Sequence, residues 1–209
     1  MLVSEDSAIA SSKQAYLATV KELDDAGKLE ENWVINKRVE VITGQLVTEA
    51  IKIRPETSNW EWSVVVIDDP KTINAWCMAG GRMAIYTGLI KQIDPTDDEL
   101  AQVMAHEISH ALAKHSAEKM SMQIATSVGV AAVGIASDNT GVALSGAALT
   151  AMLAVNLPNS RAAEKEADLM GIELAAKAGF NPAAAATLWK KMGTALFGSL
   201  LIILPVFFG

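Results

Sequence analysis

His106-Glu107-Ile108-Ser109-His110 places two imidazoles four residues apart with a carboxylate between them. On a helix, at about 100° per residue, the two rings point within roughly 40° of each other, so one metal ion fits between them and Glu107 stands beside it. Two neutral nitrogen ligands with an adjacent carboxylate suit a zinc ion and a water to be deprotonated, which is hydrolytic chemistry. The competing reading is a core helix whose histidines are simply buried and hydrogen-bonded. A third ligand decides between them.

The chain offers few candidates, with only three histidines and one cysteine. The extended pattern with a glycine and a third histidine at fixed offsets fails, because Ala113 and Ser116 occupy those positions. His115 lies nine residues beyond His106 and projects to the opposite side of a continuous helix, where it reads as a solvated residue near the helix end. Cys77 has no second cysteine or histidine near it and no basic neighbour to activate it. A carboxylate is favoured. Between Asn159 and Gly171, Glu164 and Asp168 are four apart on one helix face, with Glu166 turned about 160° from Glu164 toward solvent. A ligand glutamate followed one turn later by an aspartate suits a zinc site, since metal-bound histidines usually give their outer N–H to a carboxylate. On composition alone, the same residues read as an ordinary charged face laced by Arg161 and Glu164.

The elements that must position these groups carry their own signals. Thr96 and Glu99 form a capping box, Asp97 and Asp98 complement the helix dipole, and Leu100, Val103, Met104 and Ile108 make an apolar face, predicting a zinc-binding helix from about Asp97 to Lys119. Pro158 with Asn159 or Ser160 starts a second helix over about 159–178, ended by Gly179. Upstream, about 5–50, helices are expected over Ser7 to Ala26 and Asn32 to Ala50, the latter with Ile35, Val39, Ile42 and Leu46 on one face. β-Branched residues from Trp62 to Ile67, and Met83 to Thr87 after the Gly80-Gly81 turn, predict a small hairpin-like sheet within about 60–90, beside the zinc-binding helix. An edge strand there would pair with an extended peptide through its backbone. Asn181-Pro182 opens a last helix over about 182–193. Helices flanking a small sheet make the fold class α+β and mostly helical, with one domain over 1–194. A chain of 209 residues that is 51% hydrophobic can bury one sizeable core, and its net charge of -7 argues against nucleic acid and anionic membranes as partners. One cysteine leaves the compartment open.

The strings HEISHALAKHSAEKM and NSRAAEKEADLMGIELAAKAGFNP, with Asn74-Ala75-Trp76 leading into Gly80-Gly81-Arg82-Met83-Ala84-Ile85-Tyr86-Thr87-Gly88-Leu89, resemble the HtpX-like and CAAX prenyl endopeptidase family of zinc metallopeptidases, in its branch related to BepA and the Oma-type proteases. The resemblance covers most of Ser4 to Lys191 and implies a zincin-type domain with a small sheet beside the zinc helix. It implies one Zn2+ per chain held by His106, His110 and Glu164, with Glu107 as general base and Asp168 as the outer partner of a ligand histidine. It also implies a substrate-side strand containing Gly81, Met83, Ala84, Ile85 and Tyr86. Arg161 is a candidate for stabilising the oxyanion or for a structural pairing with Glu164 or Asp168. The implied activity is a zinc endopeptidase acting on unfolded or misfolded polypeptides in protein quality control, in the bacterial periplasm or a membrane-associated envelope setting. The competing class is a zinc-binding, chaperone-like interaction module with weak or no proteolysis. Met1 to Ser12 lacks the succession of a signal peptide, so the envelope expectation rests on the resemblance and a mature or fragmentary form is expected.

Two apolar segments stand apart. Ile124 to Ala136 and Val142 to Val155, separated by Ser137-Asp138-Asn139-Thr140-Gly141, are each short for a span of about 20 residues and predict a helical hairpin over about 122–156, packed over the site and limiting access. The tail, 195–209, is almost wholly apolar where relatives continue with a polar segment carrying a His-Pro pair, so a truncated or altered end is expected there. Residues 124–155 and 195–209 are the expected surfaces for membrane or partner contact.

Overall fold

The computed structural model describes residues 3–115, 117–118 and 161–198. The expected hairpin over 122–156 and residues 199–209 of the tail lie outside them.

Two long helices come first. In α1 (Glu5–Asp25), Ser4 caps the first turn by accepting from Ser7 N at 3.2 Å, which starts the helix two residues before the expected position. In α2 (Trp33–Ile53), Asn32 Oδ1 accepts from Val34 N at 2.9 Å, and Val39, Ile42 and Leu46 are buried as their spacing predicts. Pro55 opens a short 3-10 turn, Pro55–Asn59, that leads into the sheet.

The sheet has three strands: β1 (Ser63–Ile67), β2 (Ala75–Met78) and β3 (Arg82–Tyr86). Gly80 and Gly81, with φ of 86° and 82°, turn β2 back onto β3, a backbone path that L side chains rarely adopt. The spatial order is β1-β3-β2, with β1 parallel to β3 (Val65 opposite Ala84) and β2 antiparallel to it (Trp76 opposite Ala84). β3 is therefore central and has no open edge. Its uninterrupted run Met83-Ala84-Ile85 is fully buried, as expected of a strand covered on both faces.

After α3 (Thr87–Ile93), the capping box forms as predicted: Thr96 Oγ1 accepts from Glu99 N at 3.2 Å, and Glu99 Oε2 accepts from Thr96 N at 2.8 Å. α4 (Asp97–Leu112) then buries Leu100, Met104 and Ile108 against β2, α2 and the helices that follow. Truncating one of these side chains to alanine costs about 2–5 kcal/mol.

α4 ends seven residues before the expected Lys119. Arg54 Nη1 donates to the Leu112 carbonyl at 2.7 Å, and Lys114 turns into the left-handed region at φ 63° with its ammonium 2.8 Å from Glu5. Arg54 also pairs with Glu5, so α1, α2 and the end of α4 meet at one ion cluster.

Residues 161–177 form α5, closed by Gly179 at φ 92° with Phe180 N bonding to Ala175 O at 3.0 Å and Gly179 N to Ala176 O at 3.1 Å. The last helix, α6 (Ala184–Gly198), extends past the predicted end and takes in the first residues assigned to the tail. Its Lys191 reaches Glu99 at 2.7 Å, which docks α6 onto the start of α4.

Candidate metal centre

His106 and His110 lie one turn apart on α4, their ring centroids 4.7 Å apart. Their Nε2 atoms approach to 3.1 Å. Glu164 comes from α5, with Oε2 3.3 Å from His106 Nε2 and Oε1 3.5 Å from His110 Nε2. Gly171 permits this approach of α5: a Cβ there would lie 3.0 Å from the His106 backbone, so only glycine lets the two helices come this close.

This donor set fits a metal ion. Two ligands at about 2.0–2.1 Å from a tetrahedral ion lie roughly 3.3–3.4 Å apart, which is the spacing of these atoms. Glu164 Oε2 is buried without a hydrogen-bond donor aimed at it, and three acceptor-capable atoms face one another. The electrostatics also favour a positive charge between them. Burial alone would lower His106, but the carboxylates of Asp168 and Glu164 outweigh it and raise its pKa to about 9. Burial would raise Glu164, yet the two histidines hold it down at about 2.

Asp168 Oδ1 lies 3.0 Å from His106 Nδ1, on the side away from the other donors. Glu107 is partly buried next to the histidines, and burial pushes its carboxyl up to about 7, against the pull of His106 and His110. A carboxylate with a pKa near neutrality suits proton transfer in both directions. Beside Glu107 and His106 opens a cavity of about 130 Å³ whose walls include Ile73, Leu89, Val103, Leu188 and Trp189. Cys77 is buried with its thiol pushed well up by burial, in keeping with an unreactive role.

Three sequence expectations change. His115 is not solvated on the far side of α4: its side chain is only 10% exposed, and Nδ1 lies 2.9 Å from His110 Nδ1, because the chain reverses at Lys114. Gly81, Met83, Ala84, Ile85 and Tyr86 do not offer an open strand, since β3 is paired on both sides; the edge beside α4 is β2. Arg161 is exposed, Glu164 and Asp168 turn to the histidines instead, and no ion pair involves Arg161 among the described residues. Glu166 is exposed as expected, but its carboxylate lies 3.3 Å from His115 Nε2.

A helix presenting His-Glu-x-x-His, a second helix supplying a glutamate, and a small sheet alongside define the metallopeptidase class. The chain belongs to peptidase family M48, whose sequence profile matches residues 35–204. It is 40% identical over 138 residues to the mitochondrial metalloendopeptidase OMA1 of Schizosaccharomyces pombe, covering 66% of this chain and 40% of the relative. It is 32% identical over 155 residues to a putative beta-barrel assembly-enhancing protease of Vibrio cholerae, covering 71% and 31%. It is 33% identical over 131 residues to the beta-barrel assembly-enhancing protease of Escherichia coli, covering 57% and 26%. The matched region thus spans between about a quarter and two fifths of these relatives. Among the described residues, no helix is long and apolar enough to cross a membrane.

Proposed function

We propose that this chain is a zinc-dependent metalloendopeptidase domain, with His106, His110 and Glu164 holding the ion and Glu107 as general base. The observation that carries this reading is the convergence of the three donors within 4.8 Å of one another, with Glu107 lining the cavity beside them. Zinc bound there supplies a Lewis acid that makes a water acidic and polarises a carbonyl. Glu107 takes the proton of the attacking water and returns it to the leaving amine. Asp168 keeps the His106 proton on Nδ1, leaving Nε2 free to ligate.

The substrate pairs as an extended strand with β2, which demands little of its side chains and gives broad specificity. The cavity walled by Val103, Leu188 and Trp189 takes one apolar side chain next to the scissile bond. Relatives named as a mitochondrial metalloendopeptidase and as beta-barrel assembly-enhancing proteases support an envelope setting, and the proposed substrates are unfolded or misfolded polypeptides, whose extended backbone can pair with β2. The presence of Glu107 argues against a purely zinc-binding interaction module, which needs no base at that position.

The test combines zinc content with hydrolysis of casein. The expected result is one zinc per chain and measurable turnover, with Glu107→Gln keeping the zinc and losing about 100- to 10,000-fold in turnover. Zinc binding without hydrolysis in the unsubstituted chain would overturn the enzyme reading and favour the interaction module.

A further inference from the structure

A neutral histidine that ligates through Nε2 carries its proton on Nδ1, and that proton needs an acceptor. For His106 the group facing that atom is the Asp168 carboxylate, with Oδ1 at 3.0 Å. For His110 the corresponding atom faces His115 Nδ1 at 2.9 Å, and His115 Nε2 in turn lies 3.3 Å from Glu166 Oε2 on α5. The proton assignments close in only one direction when Nε2 of His110 is a ligand. His110 Nδ1–H donates to His115 Nδ1, which leaves the His115 proton on Nε2 to donate to Glu166.

The position of His115 is built rather than incidental. In a continuous helix it would point away from His110. The chain instead breaks after Leu112 and takes Lys114 through the left-handed region, a conformation unfavourable for a residue with a Cβ. Tertiary contacts hold that turn: Arg54 on the Leu112 carbonyl, Glu5 on the Lys114 ammonium at 2.8 Å, and Ala117 buried against Ala8 and Ala79. An unfavourable backbone state maintained by contacts from two other helices, and delivering one imidazole to the outer nitrogen of another, points to a role for that imidazole.

We propose that His115 is a positioning residue for the metal site, fixing the tautomer and orientation of His110 and relaying it to Glu166. The proposal rests on the zinc reading of the site. His115 touches neither the ion nor the substrate; it acts through His110.

The experiment measures zinc affinity of the full chain by chelator competition, together with the visible absorption of the cobalt-substituted protein and the thermal unfolding of the zinc-free protein. His115→Phe keeps the ring and removes the acceptor. It is expected to bind zinc about 10- to 100-fold more weakly with an altered cobalt spectrum, while zinc-free unfolding stays unchanged. His115→Asn, whose amide oxygen can take the place of Nδ1, is expected to recover most of the affinity. Glu166→Gln, an exposed change that leaves the fold alone, is expected to weaken zinc several-fold in the unsubstituted background and to have no effect beside His115→Phe. An unsubstituted chain that takes up no zinc would sink the site itself. Normal zinc uptake with equal affinity in the unsubstituted chain and His115→Phe, no recovery in His115→Asn, or an effect of Glu166→Gln that persists without His115 would overturn the relay alone.

Discussion

His106 and His110 stand one turn apart on the same helix, yet their outer nitrogens meet different surroundings. On the His106 side a carboxylate of α5 lies at 3.0 Å, and Gly171 lets that helix rest on the His106 backbone. On the His110 side the nearest group is another imidazole, placed by a strained turn, with the carboxylate one residue further out and exposed. The first support is local to two packed helices; the second depends on α1 and α2 holding the end of α4. A histidine pair that looks symmetric in the motif is thus asymmetric in what holds it, and the His110 side is the one open to adjustment from a distance.

Removing the donor common to both sides has the largest effect. Glu164→Gln keeps the volume but takes away the charge that both histidines face, and zinc affinity measured by chelator competition is expected to fall beyond the roughly 100-fold upper end typical of an outer partner. A smaller loss would mean that the two histidines hold the ion without it. Asp168→Asn breaks only the His106 side: zinc affinity is expected to drop about 10- to 100-fold, with the helices intact by circular dichroism. If affinity and turnover both stay unchanged, the His106 side draws nothing from this carboxylate and the comparison fails.

The smallest effect lies at the other end of α4. Burial would raise the Glu99 carboxyl, but Lys191 and the Thr96 backbone outweigh it and hold it below the usual value. Because the folded-state value is depressed, the stabilisation is complete above about 4.5 and fades as the pH falls through the lowered value. Glu99→Gln keeps an oxygen for the Thr96 N–H but loses the charge facing Lys191, and is therefore expected to cost about 1 kcal/mol or less in urea unfolding at neutral pH, the scale of a partly exposed ion pair, with the difference from the unsubstituted chain shrinking as the pH falls below about 4.5. A constant difference across that range would assign the contact to packing rather than charge.

How much of this was legible follows from where each signal resides. The start of α4, the sharing of a face by Glu164 and Asp168, and the end of α5 at Gly179 are written in local residue types, and the structure has them. The end of α4 is not, since Leu112-Ala113-Lys114 contains neither glycine nor proline. Its break is imposed by Arg54 and Glu5, both distant in sequence, so extending the helical period sent His115 to the wrong side. The hairpin-like sheet expected of the segments Trp62 to Ile67 and Met83 to Thr87 failed for a related reason. Gly80-Gly81 announces the hairpin of β2 and β3, but the parallel pairing of β1 with β3 is long-range. One local clue pointed to it: Met83-Ala84-Ile85 is apolar without alternation, the pattern of a strand covered on both faces rather than one at an edge. Gly171 stood within a helical run with no local reason for a glycine, and its reason is the backbone of His106.

The central claim, that His106, His110 and Glu164 are the donors, is tested most directly by X-ray absorption at the zinc edge on the purified chain. The account predicts nitrogen and oxygen neighbours at about 2.0–2.1 Å, with the outer scattering of two imidazoles and no sulfur. A sulfur neighbour at about 2.3 Å would bring Cys77 into the site, and scattering from no imidazole would remove the histidines; either result contradicts the assignment.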